Sequence, residues 1–434
     1  MILTPATIAI YWIYGEGRIR LLRSARRALA VNARRRGGPA VVEMHTLGDI
    51  MKHVAGIVLC LLLSACASQP PAPIQDPVRP SLYDDSLFAP PSKPISVDDI
   101  FALSPAMREF LDNDIARREM TIGKIHALVD TLYDKGKQKF SYDANETNNA
   151  AGVFAVHSGN CLSYTIMTAA FAKQMNLPVQ FHVATFGEVW DRNHDIDFRI
   201  GHVNLTLGAP YLQGHEYAQL VDFTALSDLH GELLDDIGED VIVSMYFNNR
   251  AAEAMAQGNL DDAYWWAKAA TQSSVSFLAA YNTLGVIYLH HKDAVQAERV
   301  FARVLEREPE NTLAMSNEVV ALNALGRTAD AQAITARLAQ IQPNPPFYYF
   351  NLGVKAMQEG DYKTAKMEFT REVNRASYNH QFHFWLALAD YRLGEMDETR
   401  RQLTYAMENS PNDQQHDLYA AKLSALRQKH LNAD

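Results

Sequence analysis

A period of 34 residues runs through the C-terminal part of the chain, from about residue 244 to residue 413. A turn residue recurs at each step, at Gly258, Lys292, Gly326, Gly360 and Gly394. A small side chain follows each turn by five residues, at Ala263, Ala297, Ala331, Ala365 and Thr399. Prolines keep the same period at Pro309, Pro343 and Pro411. A unit this short cannot bury its apolar face alone, so the units must stack on one another as a solenoid.

Two segments show the unit in full. Residues 281–288 read Tyr-Asn-Thr-Leu-Gly-Val-Ile-Tyr, and residues 349–353 read Tyr-Phe-Asn-Leu-Gly; an Ala and a Phe follow each at the same spacing. This pattern resembles the tetratricopeptide repeat, a pair of antiparallel helices. The resemblance implies an all-α superhelix of five repeats over residues 244–413, with residues 414–434 as a capping helix.

The concave face of such a superhelix usually binds proteins or peptides, so we expect a protein partner for the repeats. The alternative is a solenoid that only braces the neighbouring domain. We interpret Trp265, Trp266 and Trp385 as packing residues rather than as a binding site.

The N-terminus has the pattern of an exported protein. Residues 1–50 hold eight arginines against three acidic residues, and we interpret them as a mis-called extension upstream of Met51; a genuine long leader is the alternative. Residues 51–65 combine a basic start, a short apolar run and small residues, which is typical of a signal peptide. The run is too short to cross a membrane as a helix, and an ordinary buried helix is the alternative.

The signal ends in Leu63-Ser64-Ala65-Cys66, which resembles a bacterial lipobox. The resemblance implies cleavage before Cys66 and acylation of that cysteine. Ala67 in the next position implies sorting to the outer membrane, facing the periplasm. Residues 66–95 contain eight prolines, which favour extended backbone and predict a tether between lipid and domain.

Charge and cysteine content exclude other classes. The formal net charge of −10 argues against nucleic acid as a partner. The chain has three cysteines, too few for a disulfide scaffold. Once Cys60 leaves with the signal and Cys66 is acylated, Cys161 is the only free thiol, and it lies in the middle domain, residues 96–240.

Cys161 opens a predicted helix over residues 162–175, with Gly159-Asn160 as turn and cap. A helix N-terminus favours a thiolate, and its N–H groups can hold an oxyanion. Downstream, residues 179–186, 202–207 and 219–224 read as strands. A hairpin that turns near residue 212 places His202 opposite Asp222, where the carboxylate can orient the imidazole.

The segments Gly159-Asn160-Cys161, Gly201-His202 and Val221-Asp222-Phe223-Thr224 resemble, in order and spacing, the bacterial transglutaminase-like superfamily. The resemblance covers about residues 140–230. It implies a papain-like α+β fold with Cys161 as nucleophile, His202 as general base and acid, and Asp222 as the partner of the histidine. The family commonly has His-Ala or His-Val-Trp and Asp-Pro where this chain has His202-Val-Asn and Asp222-Phe, which weakens the case for transglutamination itself.

Other candidate sites are weaker. Tyr142, Asn145 and Thr147 are the candidates for a second oxyanion donor, and His157 could modulate the thiol. Residues 191–197 imitate a calcium loop but lack its Gly and its final Glu, so we predict a solvated loop. His182 fits a hydrogen-bonded strand histidine, and no metal or other cofactor is expected.

These patterns together predict a membrane-anchored cysteine hydrolase, a protease or amidase, that acts through a thioester on a protein or peptide. The repeats would recruit the substrate or a partner. Two alternatives stay open: a non-catalytic tetratricopeptide scaffold lipoprotein of the cell envelope, and a transglutaminase with an amine acceptor.

Overall fold

The computed structural model describes residues 8–13, 17–20, 81–133, 140–193, 196–208, 218–224 and 233–431. The predicted signal peptide, Cys66 and residues 67–80 of the predicted tether lie outside these ranges. No helix among the described residues is long and apolar enough to cross a membrane.

A small mixed α/β region comes first. Its helices are α1 (Pro105–Phe110), α2 (Ala116–Ile122), α3 (Lys124–Leu132), α4 (Ala150–Val156) and α5 (Cys161–Gln174), with a π-helical turn at Leu111–Ile115 and a 3₁₀ turn at Asp85–Leu87. The predicted helix over 162–175 is therefore confirmed as α5. Its start is set by Asn160, whose side chain accepts a hydrogen bond from the Ser163 N–H.

Strands of this region form a sheet behind α5. They are β1 (Ile8–Ile13), β2 (Gly17–Arg20), β5 (Val179–Asn193), β6 (Ile196–Leu207), β7 (Gln219–Thr224) and β8 (Leu233–Ile237); β3 (Ser141–Tyr142) and β4 (Ser158–Gly159) pair separately. The order is β2-β7-β6-β5-β8, all antiparallel, and β1 runs parallel to the first half of β6.

Two expectations about this sheet were wrong. Of the predicted solvated loop over 191–197, the described residues are in strands, because β5 continues to Asn193 and β6 begins at Ile196. Residues 1–50 are not wholly outside the fold, because β1 and β2 from that segment add backbone pairs to β6 and β7. The start of translation at Met51 stays a prediction.

The remaining helices pair in sequence order, as the 34-residue period predicts. The pairs are α6 (Glu239–Ala256) with α7 (Leu260–Ser273), α8 (Leu278–His290) with α9 (Ala294–Arg307), α10 (Thr312–Ala324) with α11 (Thr328–Ile341), α12 (Tyr348–Glu359) with α13 (Tyr362–Arg375), and α14 (His380–Leu393) with α15 (Met396–Glu408). Helix α16 (Asp413–Leu431) follows as the predicted cap.

The periodic residues have the roles that the sequence indicates. All five turn residues have positive φ angles, from 66° at Lys292 to 82° at Gly394, a conformation that glycine adopts without a steric penalty. A Cβ atom at Gly285 would lie 2.4 Å from the Phe301 ring, and one at Gly353 would lie 2.5 Å from the Phe369 ring. The Leu-Gly and Phe positions therefore form the close helix crossing within a pair.

Residues 82–92 are not part of a free tether, which corrects the boundary predicted at residue 95. Phe88 stacks on Tyr264 at a ring distance of 4.0 Å, and Lys268 forms an ion pair with Asp85 at 2.7 Å. The indole of Trp265 donates to the Ala89 carbonyl at 2.7 Å. The aromatic and acidic residues between the prolines bind this segment to the first helix pair, and proline density alone did not reveal that.

The mixed region and the helix pairs share one core. One apolar cluster joins Cys161 and Phe171 of α5 to Ile242 and Phe247 of α6. All elements described above belong to a single compact unit that comprises residues 1–24 and 82–434. The boundary predicted near residue 240 therefore marks where the helix pairs begin, and the apolar core continues across it.

Candidate functional site

Cys161 is the first residue of α5, where the sequence predicts it. It is fully buried, with 0% of its surface exposed. The cap residue Asn160 accepts from the Ser163 N–H at 3.0 Å. The sulfur therefore lies at the end of the helix where unpaired N–H groups and the helix dipole favour negative charge.

His202 of β6 and Asp222 of β7 form a hydrogen-bonded pair. The imidazole Nε2–H donates to Asp222 Oδ1 at 2.9 Å. His202 is 0% exposed and Asp222 is 6% exposed. The structure thus brings together the two residues that the hairpin argument paired.

The register of that hairpin differs from the predicted one by two residues. Leu205 pairs with Val221 and Leu207 with Gln219, so continuing the register puts Asp222 opposite Asn204. His202 reaches the carboxylate diagonally. The His202–Asp222 hydrogen bond still forms, because a shift of two residues keeps each side chain on the same face of the sheet.

Asn204 is a site residue that the sequence analysis did not assign. Its Nδ2 donates to Asp222 Oδ2 at 2.8 Å, so each carboxylate oxygen has its own donor. Its own Oδ1 is buried and has no hydrogen-bond partner among the described residues. The sequence did contain a signal for this role, because Asn204 follows His202 by two residues and therefore lies on the same face of the strand.

His202 also lies within hydrogen-bonding reach of Cys161. Burial by itself lowers the pKa of His202, but the Asp222 carboxylate and the Cys161 sulfur outweigh that and raise it to about 10. Since Nε2 is engaged by Asp222, Nδ1 is the nitrogen available to the sulfur. At neutral pH the imidazole is therefore a cation beside the Asp222 carboxylate.

The other candidate residues have structural roles. His182 Nδ1 bonds to Asp236 at 2.8 Å and its Nε2 to Thr206 at 2.8 Å, so it is the expected strand histidine. The ring of His157 packs against Phe140, at a centroid distance of 5.1 Å. Asn145 is exposed. Among the described residues, no group of three or more His, Cys, Asp or Glu side chains could hold a metal ion.

Comparison with known proteins finds likenesses in the C-terminal half. The family model for the tetratricopeptide repeat matches residues 288–352. The C-terminal half of the chain contains tetratricopeptide repeats. Such repeats mediate protein–protein interaction. No curated protein shows significant similarity to the chain.

Three solved structures illustrate the likeness. A tetratricopeptide protein of Thermus thermophilus is 18% identical and covers 40% of this chain and 95% of its own, with a TM-score of 0.26. One from Parabacteroides merdae is 19% identical, covering 45% and 77%, with a TM-score of 0.23. MamA from Desulfovibrio magneticus is 16% identical, covering 40% and 96%, with a TM-score of 0.23.

The first tetratricopeptide repeat holds the residue that supports the cap of α5. Thr147 Oγ1 accepts from Asn160 Nδ2 at 2.7 Å and from Asn249 Nδ2 of α6 at 3.2 Å. The Thr147 N–H donates to Glu253 at 2.8 Å, and Arg250 donates to its carbonyl at 3.2 Å. Thr147, proposed from the sequence as an oxyanion donor, has its N–H and its hydroxyl oxygen engaged in this support.

Glu253, which accepts from the Thr147 N–H, is a buried ionisable residue. Burial raises its pKa to about 7, against the lowering effect of Arg250 and of the Thr147 hydrogen bonds. Glu253 is on the first repeat, and Thr147 precedes α5. Hydrogen bonds through Thr147 and Asn160 therefore connect the first repeat to the start of the helix that begins with Cys161.

Replacement of Thr147 by Val tests this support. The variant keeps the shape of the side chain but leaves the Asn160 and Asn249 amides without their acceptor, so we expect the free energy of unfolding to fall by about 1–3 kcal/mol. The matched control is Thr165→Val, because the Thr165 hydroxyl is buried on α5 without a partner. That change is expected to be neutral or stabilising by about 1 kcal/mol. If urea unfolding shows equal losses of unfolding free energy for Thr147→Val and Thr165→Val, Thr147 does not support the cap of α5.

The His202–Asp222 pair predicts a dependence of stability on pH. Because folding raises the pKa of His202 from 6.5 to about 10, its contribution is full below pH 6.5 and is lost as the pH rises towards 10. We expect the stability difference between wild type and His202→Gln to shrink over that interval in urea unfolding. The control is the exposed His416→Gln, which should track wild type at every pH. A constant difference for His202→Gln would show that the imidazole is neutral in the fold.

Proposed function

We propose that this chain is a cysteine hydrolase whose tetratricopeptide repeats bind a protein. The observation that carries the proposal is the grouping of Cys161 at a helix N-terminus with the hydrogen-bonded pair His202–Asp222. A nucleophile, a base within its reach and a third group that orients the base form the arrangement needed for covalent acyl transfer. The proposed fold of the region is papain-like, as in the transglutaminase-like superfamily.

The chemistry follows from the charges at the site. The thiolate is the attacking form of cysteine, and the adjacent imidazolium stabilises it. Sulfur attack on an amide carbonyl would place the oxyanion near the first N–H groups of α5. His202 would then give its proton to the leaving amine, and the acyl group would remain on Cys161 as a thioester. Asp222, which accepts a hydrogen bond from Asn204, would orient the imidazole throughout.

The second half-reaction decides between hydrolysis and cross-linking. Attack by water, with His202 as general base, releases an acid and restores the thiol. Attack by an amine would give a cross-link, which is the transglutaminase alternative. We favour water, because no feature of the described residues marks an amine site. The substrate class is then a protein or peptide amide, recruited by the repeats.

A specific observation favours the second candidate, a non-catalytic scaffold. Cys161 and His202 are both 0% exposed, so a substrate carbonyl can reach the sulfur only if this burial is relieved. In a scaffold, the buried cation and carboxylate would serve to order α5 against the sheet, and the repeats would carry the whole function.

Alkylation of Cys161 separates the two candidates. In a Cys60→Ser/Cys66→Ser background, iodoacetamide at neutral pH should label the folded enzyme at one site. We expect His202→Ala and the volume-conserving His202→Gln to slow labelling about tenfold or more, because the thiolate loses its cation. His416→Ala is the control and should leave the rate unchanged. Circular dichroism checks that each variant is folded.

Labelling in urea gives the reference rate for an exposed thiol in each variant. A folded wild type that labels slowly, at a rate that the His202 variants leave unchanged or increase, would favour the scaffold and remove the basis for the hydrolase.

We also propose that the chain is a lipoprotein anchored through Cys66 in the outer membrane and facing the periplasm. The sequence Leu63-Ser64-Ala65-Cys66 supports this proposal. Expression with a labelled fatty acid should give a labelled protein, and Cys66→Ser should abolish the label while Cys60→Ser leaves it. Label retained in Cys66→Ser would exclude this anchor.

A further inference from the structure

The β5–β6 hairpin is bound by the fourth and fifth repeats. Near the end of β5, Trp190 and Arg192 contact residues at or just before the start of α12 and α14. These are the first helices of the fourth and fifth repeats. We call this the hairpin-binding surface, and it consists of Phe347, Asn351, Tyr378, Asn379 and Gln381. Its contacts with the hairpin are those of a receptor with an extended peptide.

The backbone of β5 is recognised at both residues. The Trp190 N–H donates to the Tyr378 hydroxyl at 2.9 Å. The Trp190 carbonyl accepts from Asn379 Nδ2 at 3.2 Å, and the Arg192 carbonyl accepts from Gln381 Nε2 at 3.4 Å. Side chains of the repeats thus satisfy backbone groups of an extended strand, which any protein segment could present.

The two side chains add specificity. Trp190 is 7% exposed and belongs to the apolar cluster of Phe347 and Phe350. The Arg192 guanidinium lies over the Phe347 ring at 4.0 Å and donates to Asn351 at 2.9 Å. Burial raises the pKa of Glu372 beneath this surface, and the positive charge of Arg192 is one of several effects that oppose that rise. The surface therefore selects an aromatic residue and, two positions later, an arginine.

We infer that the hairpin-binding surface is a docking site for an extended aromatic-x-Arg segment of a partner protein, and that β5 is its resident occupant. A tethered occupant acts at an effective concentration of about millimolar, so it excludes a free segment of similar affinity. A partner must displace Trp190 and Arg192 or find them already released. The inference does not depend on the proposed hydrolase.

The test uses the full chain and a fluorescein-labelled peptide of residues 186–197. Trp190→Ala/Arg192→Ala in the protein should vacate the surface, and we expect the variant to bind the peptide about tenfold or more tightly than wild type does in fluorescence anisotropy. A peptide that carries the same two Ala replacements is the control ligand and should not bind. Equal binding to wild type and variant, or equal binding of both peptides, overturns the inference.

Two further variants guard against a folding defect. Arg192→Ala alone retains Trp190 and should give intermediate binding. Within the double variant, Asn351→Ala should weaken binding of the peptide about tenfold, because the peptide's arginine loses its hydrogen-bond acceptor. The matched Asn409→Ala should leave binding of the peptide unchanged. Circular dichroism selects the folded variants. Absence of peptide binding in a folded Trp190 or Arg192 variant overturns the inference.

Discussion

A stacked repeat leaves an apolar face open at each end of the array, and the rest of this structure depends on how those faces are covered. At the first repeat the cover is the mixed α/β region, since Ile242 and Phe247 of α6 share a core with α5. At the last repeat it is α16, whose Tyr419 and Leu423 pack with Leu403 and Ala406 of α15. The α/β region is therefore the N-terminal cap of the superhelix, and it also carries Cys161, His202 and Asp222.

This shared core ties the chemistry of the site to the repeats. Glu253 and Asn249 on α6 hold Thr147, and Thr147 holds the cap of the helix that begins with Cys161. At the far end of the array, repeats four and five hold the hairpin whose second strand carries His202. Cys161 and the hairpin that carries His202 are thus held by different repeats.

Local patterns predicted much of the fold. The 34-residue period predicted all five helix pairs. Each pair needs a turn, a small residue and a helix end within its own unit, so local sequence is enough to indicate it. The cap at Asn160 and the start of α5 were predictable for the same reason. The length of β5 was not, because Trp190 is bonded by Tyr378 and Asn379, and Arg192 by Gln381, all of them almost 190 residues away. Residues 82–92 were missed likewise, since their partners are on α7 and α8.

The sequence by itself determined the repeat architecture and singled out Cys161, His202 and Asp222 as candidates, because helix periodicity, capping and strand alternation act over a few residues. Only the tertiary structure decided the hairpin register, which set Asn204 opposite Asp222 and made the contact of His202 diagonal. It also decided that Thr147 supports the cap and that Cys161, His202 and Asp222 are buried. These features depend on packing between distant segments, whose free energies no local pattern encodes.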